Sequence, residues 1–573
     1  MPLSTLIPRL ACASLALFLA LPATAATLSV GASGCQFGSI QQAIDFAALT
    51  PEADLIRVAN NANYAFQALK KRDAHPLALV GGYPDCLPAS LPSGQTVLDG
   101  SGLAASVLHI DGGEVEVANF VIRGGAPIAL QGRGGGVFVG AATRRIAFAN
   151  VRITGNAAYQ GGGLAIVGAI GQTVNLHSQR LTIDHNYAAH DGGGLWAVHA
   201  QAVKQSAAWR ISANESGGDG GGAWLGRDAV MHLRSSKDPS GFVDNLAKGD
   251  GGGVALVGGA SLVLLHGGGP AQATEISRNA ARRGGGAFLY SDVGAVTALQ
   301  AHGIVGNDNL AWDEGGFAAI HMVGDDAALR IGELHVDAST LFGGAPCDQP
   351  LDCNVFAGNA AIGRDGEPRP GALVAIRNDG KGAVGYARFW NSTLREHLGR
   401  DLVHLWSDAP SGYAEEIEFR DSLVVRNVVE KHLIETEGDG ALHIFGSTFA
   451  RNETGAATLQ IDDASNSAYV YGSIFDDRAP LIDRLPASQS LFALMVRDPG
   501  ATAGMPVVFR DDPLFEDADH DDFRLRASSP ALDRMWDLAP TNTLDRAGNP
   551  RTIDLPAVPD FNTPRDLGCF EHP

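Results

Sequence analysis

Trp196 and Trp224 stand 28 residues apart, and each is followed three positions later by a hydrogen-bonding side chain, His199 and Arg227. Aromatic rings in a row form a platform on which sugar rings stack, while imidazole and guanidinium groups beside them bond hydroxyls. These four residues are the candidate ligand-binding set, with glycans or other cell-surface molecules as partners. Asp191, Asp219, Asp250 and Asp313 recur at similar intervals. Carboxylates aligned one above another repel unless cations or water intervene, so Asp191, Asp219 and Asp250 are candidate calcium ligands, as is the run Asp517, Asp519, Asp521 and Asp522. The glycine-aspartate nonapeptide of calcium-binding β-rolls is absent, and a solvated acidic corner is the plainer reading. Apart from calcium, no cofactor is expected. His177, His185, His190 and His199 crowd one stretch, but their spacing matches no zinc motif.

Catalysis, if the chain performs any, belongs between Arg377 and Glu418, where Arg388, Trp390, His397, Asp401, His404, Glu415 and Glu416 gather. Cleaving a polysaccharide takes two carboxylates flanking a glycosidic bond, or a Lys or Arg base beside calcium. Neither occurs as a recognisable motif, and a charged surface insertion explains the cluster more simply. No catalytic residue is assigned.

The elements that position these residues follow from a repeat. Glycine triplets start at Gly134, Gly161, Gly192, Gly220, Gly251 and Gly284, with a decayed copy at Glu314-Gly315-Gly316, at intervals of 27, 31, 28, 31, 33 and 30 residues. Self-similarity at such a period marks a solenoid. The first residue after each triplet is Val137, Leu164, Leu195, Ala223, Val254, Ala287 and Phe317, and the third is Val139, Ile166, Ala197, Leu225, Leu256, Leu289 and Ala319. Two apolar positions with one residue between them have the period of a strand. The second position, holding Phe138, Ala165, Trp196, Trp224, Ala255, Phe288 and Ala318, then faces outward. The same alternation runs through Asn150-Val-Arg-Ile-Thr-Gly-Asn156 and Gln179-Arg-Leu-Thr-Ile-Asp-His-Asn186 before each triplet. Each repeat reads as strand, corner, strand, with asparagine and glycine supplying positive φ at the corner. Stacked repeats bury what one repeat cannot, giving an all-β, right-handed parallel β-helix over 108–510, interrupted by an insertion around 340–370. Asn156, Asn186, Asn214, Asn245, Asn279, Asn307 and Asn359, resuming at Asn427 and Asn452, are expected to stack as an amide ladder.

Lys and Arg total 42 against 63 Asp and Glu. So acidic a chain is not a nucleic-acid binder, whose phosphates call for a basic surface. Residues 1–25 read as a signal peptide: Arg9, the apolar run Leu10 to Leu21, and the small-x-small site Ala23-Thr24-Ala25. The mature protein is expected to be secreted or held at the outer cell surface, with the periplasm as an alternative, without a transmembrane helix and as a monomer. In an oxidising compartment Cys35 pairs with Cys86 and Cys347 with Cys353, leaving Cys569 over. Residues 26–107 read as a cap with the first coils. Within it Ser39-Ile40-Gln41-Gln42 is a capping box, and Ile40, Ala43, Ile44 and Ala47 share one face of a short capping helix. Beyond residue 510 lies a proline-rich, acidic segment of little regular structure.

Within that last segment, Asp512-Pro-Leu-Phe515, Asp522-Phe-Arg-Leu525, Ser529-Pro-Ala-Leu-Asp533, Gly548-Asn-Pro-Arg551 and Asp566-Leu-Gly568 to Glu571 resemble the closing region of the bacterial exported β-helix proteins called choice-of-anchor Q. Gly81-Gly-Tyr83 with Cys86, and asparagine followed by a glycine triplet, are similar to that group and to polymorphic outer-membrane repeat proteins. The resemblance implies a β-helix with 511–573 as its closing segment, and it carries no catalytic residues with it. Relatives often add a sorting signal after this region; here Pro573 follows Glu571 by two residues, so secretion without a covalent anchor is expected. The function read from the sequence is an exported, non-catalytic, adhesin-like or glycan-binding surface. A polysaccharide lyase or glycoside hydrolase is the rival.

Overall fold

The computed structural model describes residues 25–573 apart from 203–207, 268–271, 293–294, 324–329, 338–350, 352, 381–382, 408–414, 439, 462–466, 485–487, 504–507, 536–542 and 561–562. Residues 1–24 of the expected signal peptide, Cys347 and the first part of the expected insertion lie outside the described residues; within the rest of that insertion the strands Val355–Ala357 and Ala360–Ala361 continue the coils. The rest is an all-β parallel β-helix with one short N-terminal helix. Among the described residues no helix is long and apolar enough to cross a membrane.

One coil shows the plan. After Gly161-Gly162-Gly163, the strand Leu164–Val167 pairs in parallel with Val137–Val139 on one side and Leu195–Val198 on the other. The chain then forms Val174–Asp184, bent at Arg180 (φ 58°) into two arms that join a sheet of 28 strands. A second corner at His185 leads through Asn186 to the two-residue strand Tyr187–Ala188. Each repeat therefore carries a third, very short strand that alternation cannot reveal, because two residues have no period. The strand after each triplet and the two arms line one continuous core running from Leu28 to Val496, to which this coil gives Leu164, Ile166, Leu176, Leu181 and Ile183.

The asparagine ladder is present, with two corrections. Asn186 Oδ1 accepts both the backbone N–H and the side-chain amide of Asn156 at 3.0 Å, while Asn186 Nδ2 donates to Ile153 O and to Asn214 Oδ1. The pattern repeats through Asn214, Asn245, Asn279, Asn309 and Asn359. Asn309 occupies the rung expected of Asn307, which instead accepts the Ala357 N–H on the strand before the corner. The positive φ is carried by the residue before each rung, among them Gly155, His185, Ala213, Asp244, Arg278 and Asp308, and not by the ladder asparagine. His397 then replaces asparagine: its Nδ1 accepts the Asn359 N–H, and burial drives its pKa down to about 3, so the ring stays neutral and can accept. The ladder resumes at Asn427 and Asn452 and ends on Asp477, whose Oδ1 accepts two N–H groups from Asn452.

Three different constraints make each triplet glycine. Gly192 has φ +69°; a Cβ on Gly193 would lie 2.3 Å from Gly221 O; one on Gly194 would lie 2.8 Å from the ladder amide of Asn214. The decayed copy is displaced by one residue. Ala318 and Ile320, not Phe317 and Ala319, continue the two inward columns, and Ala319 stands outward beside Phe288. Phe317 takes the place of the third glycine and opens an inner file of rings, Phe317, Phe356, Phe389, Phe419, Phe449 and Phe475, with centroids 4.8 to 5.8 Å apart. Burying each is worth about 2–3 kcal/mol. In the same coils Ser392, Ser422, Ser447 and Ser473 form a second ladder, each hydroxyl accepting the previous serine's N–H and donating to the carbonyl two residues back.

Helix α1 (Ile40–Ala47) is capped by Ser39 and buries Ile40, Ala43, Ile44 and Ala47 as expected. Cys35 is bonded to Cys86, and Cys569 is a buried free thiol. The C-terminal segment has little regular structure, but it is not loose. It lies along the outer face of the last coils, where Phe515, Phe523, Leu567 and Phe570 cover Val425, Ala450, Ile474 and Met495. Arg551 is buried between Asp421 and Glu571, and Arg546 reaches Leu351 O and Cys353 O. Replacing Asn245 by Ala removes four hydrogen bonds and leaves the buried Asn214 backbone N–H without its acceptor, so a loss of about 2–4 kcal/mol is expected. Asn307→Ala costs about 1 kcal/mol or less by the same measure. Urea unfolding of the two variants checks the assignment, and equal losses would contradict it.

Candidate ligand-binding surface

Trp196 and Trp224 do lie on adjacent coils, side by side in the parallel register, with centroids 5.4 Å apart and planes 9° from parallel. The stack is partly closed, however. Trp196 is 5% exposed, with the Arg133 guanidinium 4.8 Å over its ring, and it packs with Ala165 and Val198. Trp224 is half-buried and lies over Gly226, where a Cβ would meet its ring at 2.3 Å. His199 and Arg227 occupy left-handed corners after these strands. His199 Nδ1 is 3.9 Å from Asp228, and Arg227 is exposed. The four residues are neighbours, but only Trp224 and Arg227 offer appreciable open surface.

The acidic column is a ladder as well. Asp191 accepts the Asp219 N–H at 3.0 Å and Asp219 accepts the Asp250 N–H at 2.8 Å. Arg282 and Arg283 both clasp Asp250, and Glu314, not Asp313, continues the column because of the one-residue displacement. These carboxylates are engaged by the next coil and by arginine instead of converging on one point. Burial and the flanking Asp250 and Asp191 lift Asp219 to about 6. The histidines separate: His185 pairs with Asp184 and His190 with Asp191. The run at 517–522 finds distant partners, with Asp521 on Arg426 at 2.6 Å and Asp519 on Arg451 at 3.5 Å.

The cluster between Arg377 and Glu418 divides among four places. His397 is a ladder rung. Glu415 is buried, hydrogen-bonded to Asn378 and Ser407. Asp401 and His404 meet Glu435 around Arg400, whose guanidinium is 2.9 Å from Asp401 and 3.3 Å from Glu435. Burial raises Asp401 against the pull of His404 and Arg400, whereas for Glu435 the burial penalty is outweighed by those same two groups, which hold it at about 2. Asp401, His404 and Glu435 are buried and Arg400 is half-buried, and the charges of this network satisfy one another.

Arg388, Trp390 and Glu416 belong to a wider array on the outer face of the first arm. Trp390, Arg420, Phe445, Tyr471 and Phe492 are in register on five consecutive coils. Arg420 lies 4.0 Å over the Trp390 ring, Phe445 and Tyr471 are 5.7 Å apart, and Tyr471 stacks on Phe492 at 5.3 Å. Beside this row run Arg388, Glu418, His443 and Tyr469. Arg388 forks onto Glu416 at 2.9 and 3.3 Å, and Arg420 donates to Glu418 at 2.9 Å. Burial pushes Glu418 above the ordinary range in spite of Arg420, with Glu416 adding to the rise; for Glu416 the Arg388 bonds outweigh burial and hold it low. Ligand atoms of Glu416, Glu418 and His443 lie within 4.8 Å of one another. The sequence signal for this face is a large side chain two residues before each ladder serine: Trp390, Arg420, Phe445 and Tyr471.

Comparison of the chain with protein-family models gives no match, and comparison with curated proteins gives none.

Because the native pKa of Asp219 stands above its unfolded value, the folded state binds the extra proton between about pH 4 and 6, and this residue's contribution to stability rises as pH falls through that window. Asp219→Asn keeps the acceptor for the Asp250 N–H and removes the charge. It is expected to raise the unfolding temperature at pH 7.5, by an amount that shrinks toward pH 4. A difference independent of pH would contradict the burial of this charge.

Proposed function

We propose that the protein is an exported β-helix of the choice-of-anchor Q kind that binds glycans through its outer face without cleaving them. The observation that carries this reading is the file Trp390, Arg420, Phe445, Tyr471 and Phe492, in which Phe445 is buried and the others are half-buried, with Arg388, Glu418, His443 and Tyr469 alongside. Rings repeated at one strand spacing, about 4.8 Å, present an apolar edge interrupted by hydrogen-bonding groups, which is the chemistry of a sugar with its apolar ring faces and polar rim. The Trp224 and Arg227 corner offers a second, smaller patch of the same kind. A glycan long enough to run along several coils gains contacts without a deep pocket.

The unequal carboxylates Glu416 and Glu418 are the feature that favours the hydrolase reading. One oxygen of each lies within 4.8 Å of the other. Both are also held by arginine. Two carboxylates clamped in this way support binding better than turnover.

A glycan array, run with reducing-sugar and unsaturated-product assays on the retained polysaccharides, tests the reading. Binding without product is expected. The double variant Trp390→Ala/Tyr469→Ala should weaken binding about tenfold or more, from lost ring contacts. Turnover of any retained polysaccharide, or unchanged binding in that variant together with Trp224→Ala, would overturn it.

A further inference from the structure

Asp533 sits in the C-terminal segment in a left-handed conformation (φ 51°), with its side chain fully buried. Neither carboxylate oxygen has a hydrogen-bond partner of ordinary geometry, the Leu555 N–H being its one favourable polar neighbour. A buried charge without a partner is costly, and such groups are ordinarily paired or bound to a metal. What faces it is more negative charge. One oxygen each from Asp533, Asp554 and Asp560 lies within 4.8 Å of the other two, and Asp554 and Asp560 are exposed to solvent. Asp566 adds a fourth carboxylate, its Oδ1 accepting the Asp533 N–H at 2.8 Å and its Oδ2 the His572 N–H at 2.7 Å. Burial, then Asp566, Asp560 and Asp554, raise Asp533 to about 6, with the Leu555 N–H pulling the other way.

The two other metal-capable clusters differ in one respect. Asp401, His404 and Glu435 enclose Arg400, and Glu416, Glu418 and His443 are held by Arg388 and Arg420. Among the described residues, no lysine or arginine makes an ion pair with Asp533, Asp554 or Asp560. Three converging carboxylate oxygens with no cation among them are the hard, flexible oxygen set that calcium takes, whereas magnesium demands near-octahedral geometry and keeps most of its waters.

We propose that Asp533, Asp554 and Asp560 bind a calcium ion, which fastens the loop carrying Asp554 and Asp560 to the buried core of the C-terminal segment. Asp566 is a positioning residue, holding the Asp533 backbone so that its carboxylate faces the ion. The exposed side of the site leaves room for water ligands to complete the shell. This site is independent of the glycan-binding reading and stands or falls separately from it.

Calcium chloride titrated into the full chain freed of metal, followed by calorimetry and thermal unfolding, tests the proposal. One ion per chain is expected, with a Kd of about 1 mM or tighter, together with an unfolding temperature that rises with calcium. Asp554→Asn/Asp560→Asn, placed on the surface where the fold tolerates them, should abolish both the heat and the shift, while Asp219→Asn keeps both. Asp533→Asn should be more stable than the parent chain without calcium and lack the calcium response. No heat and no shift in the parent chain at about 5 mM calcium, or an unchanged response in the Asp554→Asn/Asp560→Asn variant, would overturn the proposal.

Discussion

An amide that bonds the coil above and the coil below at the same time needs a matching polar group one strand spacing away on each side, and another asparagine supplies both donor and acceptor. The asparagine column imposes that condition on every coil from Asn186 to Asn309, with Oδ1 receiving two N–H groups and Nδ2 giving two. The rest of the coil follows. The corner before each rung must turn left-handed, the third glycine must lack a Cβ because the amide occupies that space, and the strands on either side must stay in register so that apolar side chains fall over apolar side chains. Where the triplets stop, phenylalanines fill the core and a serine ladder takes the first corner, so one axial constraint gives way to another without breaking the coil.

Features that repeat were legible in the sequence, and features that join distant coils were not. The inward columns Val137, Leu164, Leu195 and Val254 could be read because the same side-chain type returns after each triplet. The two errors, Asn307 for Asn309 and the one-residue displacement at Glu314, fell where a repeat decays and identity no longer fixes the register. The Trp196 and Trp224 neighbourhood followed from spacing, while its closure by Arg133 did not, since nothing local marks which side chain folds over a ring. The aromatic file at Trp390 was hidden because its members differ in type and only position unites them. Asp519 and Asp521 looked like an acidic run until Arg451 and Arg426, some 70 to 95 residues earlier in the chain, were placed against them.

Outward-facing columns give such a fold its means of recognition. A single substitution at one coil changes one rung of a long surface, so charge and ring can be set coil by coil without touching the core. Here several outward charges are paired, Arg388 with Glu416, Arg420 with Glu418 and Arg283 with Asp250. Paired charges of this kind order side chains more than they add stability. They hold the neighbouring rings in fixed positions.

Hydrogen exchange of backbone amides tests the axial column most directly. The N–H groups of Asn186, Asn214 and Asn245, each donated to a side-chain oxygen of the next coil, should exchange as slowly as the strand amides around them and open together with the glycine triplets in one step. Exchange of these three at the rate of exposed loops, while the adjoining strands stay protected, would contradict the claim that the amide column holds the coils in register.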